Sequence, residues 1–138
     1  MKSLSPIVLF VYNRPWHTQK TIEALQKNEL ASESNLIIYS DEANNKNVQE
    51  NVDKVRLYID QIDKFKKVTI IKRETNWGLA NNIIDGVTKV VNQYGKIIVL
   101  EDDMITSPYF LKYMNEALEI YKDEEKVWHI SGWNYPID

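Results

Sequence analysis

The chain has 138 residues, enough for one domain with a hydrophobic core but short for two. Its apolar fraction of 43% and charged fraction of 27% are typical of a globular protein, and a net charge of −3 gives no reason to expect nucleic acid as a partner. The absence of cysteine excludes disulfides and thiolate metal sites. No signal peptide is recognisable, and the longest apolar run, Ile7–Tyr12, is too short to span a membrane, so we predict a cytoplasmic protein.

Five short runs rich in isoleucine and valine predict β-strands. In chain order they are Ile7–Tyr12, Leu36–Ser40, Val68–Ile71, Ile97–Leu100 and Val127–Ser131. Most of them are continuously apolar instead of alternating, which is typical of strands whose two faces are both covered in a parallel sheet.

Helical patterns fill the gaps between these strands. A first helix is expected to open at Pro15 and to carry Trp16, Ile22 and Leu25. Two further helices have apolar stripes, one of Val48, Val52, Val55, Ile59 and Ile62, the other of Leu79, Ile83, Val87 and Val90, with Gly95 as its C-cap. The last follows the capping pair Ser107–Pro108 and should bury Phe110, Met114, Ala117 and Tyr121. The alternation predicts an α/β fold: an open, mainly parallel, doubly wound sheet with helices on both faces.

Polar side chains follow the predicted strands at their carboxyl ends, where open parallel sheets bind ligands. They are Tyr12, Asn13 and Arg14 after the first strand, Asp41 after the second, Arg73 to Gly78 after the third, and Glu101–Asp103 after the fourth. Arg14, just before a helix, suits a phosphate or a nucleotide. Each also has a plainer interpretation: Tyr12 packs, Asp41 caps the following turn, and Asn13–Arg14 is an ordinary loop.

The acidic triplet Glu101–Asp102–Asp103 is the most informative of these motifs. Three adjacent carboxylates at the end of a buried strand repel one another and cost desolvation unless a cation joins them. Mn²⁺ or Mg²⁺ is the natural partner because a hard divalent ion takes oxygen ligands and keeps positions open for phosphate. In an extended segment Glu101 and Asp103 would point one way and Asp102 the other. The alternative is a solvated acidic turn.

The glycine content narrows the class of nucleotide site. Only four glycines are present, with neither a G-x-G-x-x-G pattern nor a Walker A pattern. No glycine-rich turn can therefore cradle a diphosphate, so a metal ion must do much of the neutralising. This disfavours dehydrogenases and P-loop enzymes. A basic cluster of Lys64, Lys66, Lys67, Lys72 and Arg73 is expected to be a solvated face, the alternative being a patch for an acceptor or a lipid headgroup.

Together these motifs resemble the GT-A glycosyltransferases in kind and order. The matching segments are Ser5–Arg14, Ser40–Asp41, Val99–Asp103, Ser107–Phe110 and Ile130–Asn134. They are particularly similar to the N-acetylglucosaminyltransferase I family and to bacterial family 2-like transferases, over nearly the whole chain. The resemblance implies a metal-dependent enzyme that takes a UDP-sugar, such as UDP-GlcNAc, and transfers the sugar with inversion to the hydroxyl of a sugar or glycan acceptor, with Mn²⁺ or Mg²⁺ as cofactor.

The same resemblance implies roles for individual residues. Tyr12 and Asp41 would contact the uracil, with Asn13 and Arg14 near the base and diphosphate. Glu101 would meet the donor sugar, Asp102 the ribose or donor sugar, and Asp103 the metal. Asn76, Leu79 and Asn82 would line the pocket, while Asp85 departs from the basic or amide residues often found there and has no assigned role.

The family places its acceptor site and catalytic base downstream of the Trp133–Asn134 segment. Only the terminal Asp138 follows as a candidate base, so we expect residues 1–138 to be a single nucleotide-sugar-binding domain, the N-terminal portion of a longer transferase. Apolar surface at Trp128, Trp133 and Tyr135 would allow self-association.

Three other functions fit the pattern less well. A non-catalytic nucleotide-sugar-binding module shares the donor site and is the main alternative. A receiver-like regulatory domain would have an acidic pair after the first strand, where this chain has Asn13–Arg14. A sugar nucleotidyltransferase would have a glycine-rich first loop, which is missing.

Overall fold

The computed structural model describes residues 3–133 of the chain. Four parallel strands form one sheet in the order β3-β2-β1-β4. The strands are β1 (Ile7–Val11), β2 (Asn35–Ser40), β3 (Lys67–Lys72) and β4 (Ile98–Glu101). The helices are α1 (Pro15–Gln26), α2 (Lys46–Ile59), α3 (Leu79–Tyr94) and α4 (Phe110–Ile120), with a short 3-10 turn at Ala31–Glu33. The predicted α/β fold is confirmed.

Helices cover both faces of the sheet. On one face, Ile7 and Leu9 of β1 join a core with Ile22 of α1, Ile59 of α2 and Leu111 of α4. On the other face, the intervening β1 residues pack against α3 through a second cluster that holds Val8, Phe10, Ile37, Tyr39 and Val90. Because successive strand residues point to opposite faces, a strand buried on both sides must be apolar throughout. All five residues of β1 are buried, as that rule requires.

Two glycines fix the position of α3. Gly95 ends the helix in the left-handed region, with φ of 77°, and donates its backbone N–H to Val91 O, which confirms the predicted C-cap. Gly86 lies where the helix meets the sheet, because a Cβ there would sit 2.9 Å from Tyr39 Cε2 and 3.0 Å from Phe10 Cε1. Helix α3 can therefore lie this close to the sheet because Gly86 has no side chain.

The predicted fifth strand is wrong within the described residues. Residues 127–131 form no strand, and Val127 N donates to Glu124 O in a turn. Ile130 is half-buried and packs on the first core cluster, whereas Trp128 is 94% exposed. A short run rich in apolar residues does not by itself distinguish a strand from a partly exposed loop.

Several smaller expectations also need correction. Helix α4 begins at Phe110, and Ser107 instead forms the preceding turn by accepting from Tyr109 N through its Oγ. Trp16 is 65% exposed and Tyr121 46% exposed, so neither belongs to the buried side of its helix. Trp16 lies in the first turn of α1, and Tyr121 is the C-cap residue of α4.

The strand order places the topological switch of the sheet at β1. The chain moves outward from β1 to β2 to β3 and then crosses back, so that β4 pairs with the other side of β1. Ligand sites in such sheets lie at the carboxyl ends of the strands beside this switch. Among residues 3–133, none of the helices combines the length and apolar character that crossing a membrane requires.

Candidate functional site

A cavity of about 320 Å³ opens at the carboxyl ends of β1, β2 and β4. We call it the strand-end cavity. All nine residues predicted to bind substrate line it: Tyr12, Asn13, Arg14, Asp41, Asn76, Leu79, Asn82, Glu101 and Asp102. Phe10, Val11, Tyr39, Asn44 and Gly78 complete the lining. The fold therefore brings these residues to one place, although this juxtaposition does not test what they bind.

The acidic triplet has a cationic partner within the chain, which the sequence reading did not foresee. Arg14 forms an ion pair with Asp102 through Nη2, and its Nε donates a second hydrogen bond to Asp102 Oδ2 at 3.3 Å. The same Nη2 lies 3.5 Å from Asp103 Oδ2. These contacts, led by the hydrogen bond to Asp102, raise the pKa of the Arg14 guanidinium. Part of the charge that seemed to call for a metal is thus balanced by arginine.

The three carboxylates also do not all belong to one extended strand. Strand β4 ends at Glu101, and a turn carries Asp102 and Asp103, so the expected alternation of side chains stops at Glu101. Glu101 and Asp102 line the strand-end cavity, whereas Asp103 is half-exposed and does not. Asp102 is held from behind by Thr21, whose Oγ1 donates to its backbone carbonyl at 2.8 Å.

Asp41 is buried at the end of β2 and faces the start of α3. Its Oδ1 accepts from the backbone N–H groups of Glu42 and Trp77, both at 2.9 Å. Its Oδ2 accepts from Gly78 N at 2.9 Å and from Asn76 Nδ2 at 3.3 Å. The carboxylate is therefore surrounded by donors of the chain, one in the turn that follows Asp41 and three in residues 76–78 before α3.

Arg73 is the principal residue that the sequence reading misplaced. It was expected on a solvated basic face, but only 7% of it is exposed. Its guanidinium lies 3.7 Å from the centre of the Trp77 ring and 4.9 Å from that of Tyr39. Its Nε donates to Asn82 Oδ1 at 2.9 Å, and its Nη2 donates to Asp85 at 2.7 Å.

The sequence contained a pattern that could have indicated the burial of Arg73. Asn82 and Asp85 stand three residues apart on one side of a helix and supply the two acceptors of a buried guanidinium. The hydrogen bond from Arg73 is the main reason that the pKa of Asp85 is lowered, with Lys89 contributing further. The residue without an assigned role is thus the counter-ion of Arg73.

The remaining polar groups of the cavity have hydrogen-bonding capacity left. Tyr12 Oη accepts from Asn44 N at 3.2 Å, which leaves its own proton available. Among residues 3–133, no hydrogen bond or ion pair engages the side chains of Asn13 and Glu101. Asn76 donates from its side-chain Nδ2 to Asp41 Oδ2 and to Glu42 O. Its side-chain oxygen Oδ1 accepts no hydrogen bond from residues 3–133.

The last matching segment of the family resemblance, Ile130–Asn134, does not reach this cavity in the described residues. Trp133 is 66% exposed and is not part of the lining, and Trp128 is 94% exposed. Asn134, Tyr135 and Asp138 lie outside the described residues. The two tryptophans agree with the expected apolar surface, while self-association stays a prediction.

The donor set suits a divalent ion only in combination with a ligand. Within the described part of the chain, no group of three or more His, Cys, Asp or Glu side chains is arranged to hold a metal. Mg²⁺, however, is usually bound by one or two carboxylates together with waters and substrate phosphates, and not by an all-protein cage. The exposed Asp103 carboxylate beside the cavity fits that arrangement.

Comparisons with known proteins agree with this architecture. A family model described as the GNT-I family matches residues 1–136. The crystal structure of S. aureus TarS is similar with a TM-score of 0.58 and 16% identity, over 86% of this chain and 20% of that one. A crystal structure of S. aureus TarS 1–349 gives a TM-score of 0.58 and 14% identity, over 86% of this chain and 33% of that one. No curated protein gives a significant match.

Proposed function

Because this chain belongs to the GNT-I family, we propose that it forms the donor-binding part of a glycosyltransferase that uses a UDP-sugar, with UDP-GlcNAc as the first candidate. The observation that carries the proposal is the strand-end cavity, in which nine residues expected from the family resemblance meet at the topological switch of the sheet. The resemblance to a GT-A glycosyltransferase is confirmed by the family match and by the fold of the two solved structures.

The cavity offers distinct chemistry along its length. Tyr12 provides an aromatic face and a free hydroxyl proton for the base, with Asn13 beside it. Arg14 binds Asp102 through Nε and Nη2, and its positive charge and its Nη1 group would lie near the diphosphate. Glu101 and Asp102 provide acceptors for hydroxyl groups of the ribose and the donor sugar. Leu79, 57% exposed at the cavity, supplies apolar contact.

We further propose Mn²⁺ or Mg²⁺ as the cofactor. GNT-I family enzymes are generally metal-dependent, and Asp103 is the residue that would hold the ion. A bound metal would stabilise the charge of the diphosphate leaving group. The chain's own contribution is to keep Asp103 exposed beside Arg14, a cation that lines the cavity.

The proposed transfer requires more than the strand-end cavity. The chain spans a fifth and a third of the two TarS chains that it resembles. Inversion needs a carboxylate that takes the acceptor proton, and we assign no such residue within 3–133. We therefore propose that these 138 residues bind the donor but do not transfer the sugar to an acceptor.

A thermal-shift panel tests the proposal. UDP, GDP, TDP and CMP would each be added with and without Mn²⁺. A ligand that binds only the folded state raises the free energy of unfolding by about 2.7 kcal/mol at a hundredfold excess over Kd. We expect the largest shift with UDP and Mn²⁺, and the same shift in Asp63→Asn, an exposed control far along the chain from the triplet. Equal shifts with all four nucleotides would contradict UDP recognition.

A transfer assay separates the enzyme from the non-catalytic alternative. The 138 residues with UDP-GlcNAc, Mn²⁺ and a range of sugar acceptors should give no glycosylated product by mass spectrometry, while a longer chain that includes the downstream part should give one. Transfer by the 138 residues alone would contradict our account of the domain. Donor binding without transfer by the longer chain would favour the non-catalytic module.

A further inference from the structure

The loop between β4 and α4 carries two of the three acidic residues and has little apolar packing of its own. It comprises residues 102–109, and we call it the β4–α4 loop. Apart from the buried Asp102 and the half-buried Thr106, every residue of the loop is exposed. None of its residues belongs to either core cluster. Because hydrophobic contacts do not fix this loop, its position must depend on polar contacts.

Helix α1 and its flanking residues supply such contacts at a regular spacing. Arg14, Thr21 and Asn28 are seven residues apart, about two helical turns, so they lie along one side of the helix. Arg14 pairs with the Asp102 carboxylate, and Thr21 Oγ1 donates to the Asp102 carbonyl oxygen at 2.8 Å. Further along the loop, Asn28 Nδ2 donates to Thr106 Oγ1 at 3.0 Å. The same side of α1 therefore holds the loop at successive points.

The contact made by Thr21 acts directly on the backbone beside Asp103. A threonine in a helix often turns its hydroxyl to a carbonyl three or four residues earlier in its own helix. The hydroxyl has one proton to donate, and Thr21, which is fully buried, gives it to Asp102 across 81 positions of the chain. Since the carbonyl of Asp102 and the N–H of Asp103 form one planar peptide unit, this bond fixes the plane from which Asp103 departs.

We propose that Thr21 is a positioning residue: it fixes the backbone of the β4–α4 loop so that the Asp103 carboxylate stays beside Arg14, where the proposed ion would meet the diphosphate. This inference rests on the proposed metal-dependent donor binding and adds a residue that does not itself line the strand-end cavity. The distance of 3.5 Å between Asp103 Oδ2 and Arg14 Nη2 is the geometry that Thr21 would preserve.

Two threonines of α1 provide a matched pair of variants. Thr18 and Thr21 are both fully buried and lie about one helical turn apart. Thr18 Oγ1, however, has no hydrogen-bond partner among residues 3–133. Thr18→Val and Thr21→Val each exchange a buried hydroxyl for a methyl group, but only Thr21→Val removes a contact to the β4–α4 loop. Thr21→Ser is the conservative variant, because it keeps the hydroxyl and removes only the methyl group.

Calorimetry with UDP, in Mn²⁺ and in EDTA, tests the role of Thr21 in binding. The affinity of Thr21→Val for UDP in Mn²⁺ should fall about tenfold, a typical loss when a group that orients a metal ligand is removed. Its weaker affinity in EDTA should not change. Thr21→Ser and Thr18→Val should both keep the affinity of the unmodified chain in Mn²⁺. Equal losses in Thr21→Val and Thr18→Val, or a loss in Thr21→Val that is the same in EDTA, would overturn the proposal.

Backbone order parameters from NMR test the positioning without metal or nucleotide. In the unmodified chain the N–H groups of Asp103 and Met104 should be rigid, with order parameters of about 0.85, although both residues are exposed. Thr21→Val should lower them toward about 0.6, the range of flexible backbone, while Thr18→Val and Thr21→Ser should not. Unchanged order parameters in Thr21→Val would overturn the proposal. If Thr21→Val does not fold, flexible N–H groups at these positions in the unmodified chain would overturn it, and rigid ones would support it.

The two measurements also separate this inference from the function on which it rests. If the unmodified chain binds UDP equally well in Mn²⁺ and in EDTA, the proposed cofactor is wrong. Lower order parameters in Thr21→Val would then still show that Thr21 fixes the β4–α4 loop. If binding depends on Mn²⁺ but is the same in Thr21→Val, the proposed function stands and the role of Thr21 is refuted.

Discussion

Replacing Arg14 by glutamine should destabilise the protein through Asp102. The Asp102 side chain is 8% exposed, whereas that of Arg14 is 44% exposed, so the pair lies between a surface and a buried ion pair. Surface pairs contribute up to about 1 kcal/mol, and stripping a buried ion of its partner costs about 3–5 kcal/mol. Because solvent screens the arginine end, we expect Arg14→Gln to lower the free energy of unfolding by about 1–2 kcal/mol.

The assay is urea unfolding at pH 7 and low salt, with Asp102→Asn and the double variant alongside. Arg14→Gln should be less stable than the double variant, because removing the Asp102 charge relieves the unpaired carboxylate. High salt should reduce the deficit only in part, since Asp102 is shielded from solvent. A loss of less than about 0.5 kcal/mol in Arg14→Gln, or additive losses in the double variant, would refute the idea that Arg14 is the counter-ion of the triplet.

Two further predictions concern α3. Gly86→Ala should lower the free energy of unfolding by about 1 kcal/mol net, because crowding of the Phe10 and Tyr39 rings outweighs the gain in helix propensity. Thr88→Ala, at an exposed position of the same helix, should not lower it. Equal stability of the two variants would contradict the close packing at Gly86. Asp85→Asn should lower the free energy of unfolding by about 2 kcal/mol at pH 7. The lowered pKa of Asp85 means that its contribution is present above about pH 4 and fades as pH falls through the folded-state pKa, so the deficit should shrink in acid. A deficit that grows in acid would contradict this sign.

Local rules were enough to derive the four strands of the sheet from the sequence and to place most candidate site residues at one edge of it. The continuously apolar sequence of β1 predicted that this strand is buried on both faces. Gly95 ends α3, as its position predicted. The polar residues after successive parallel strands had to meet at one edge, and seven of them line the strand-end cavity. Leu79 and Asn82, which also line it, were expected from the family resemblance.

The failures have a common physical origin in contacts between residues distant in the chain. Residues 127–131 have strand composition, yet they form no strand: Ile130 packs on the first core cluster, and Trp128 is 94% exposed. The partnership of Arg14 with Asp102 spans 88 positions, and that of Arg73 with Asp85 depends on how α3 crosses the sheet. Composition near Arg73 indicated a solvated basic face because its lysine neighbours are exposed.

The central claim is that the strand-end cavity binds UDP together with a divalent ion held by Asp103. Calorimetric titration of UDP into the 138-residue chain, with Mn²⁺ and then with EDTA, tests it most directly. Our account predicts that EDTA abolishes most of the heat and that Asp103→Asn, still folded by circular dichroism, loses the metal-dependent part while Asp63→Asn keeps it. Equal affinity for UDP with and without the metal would contradict it.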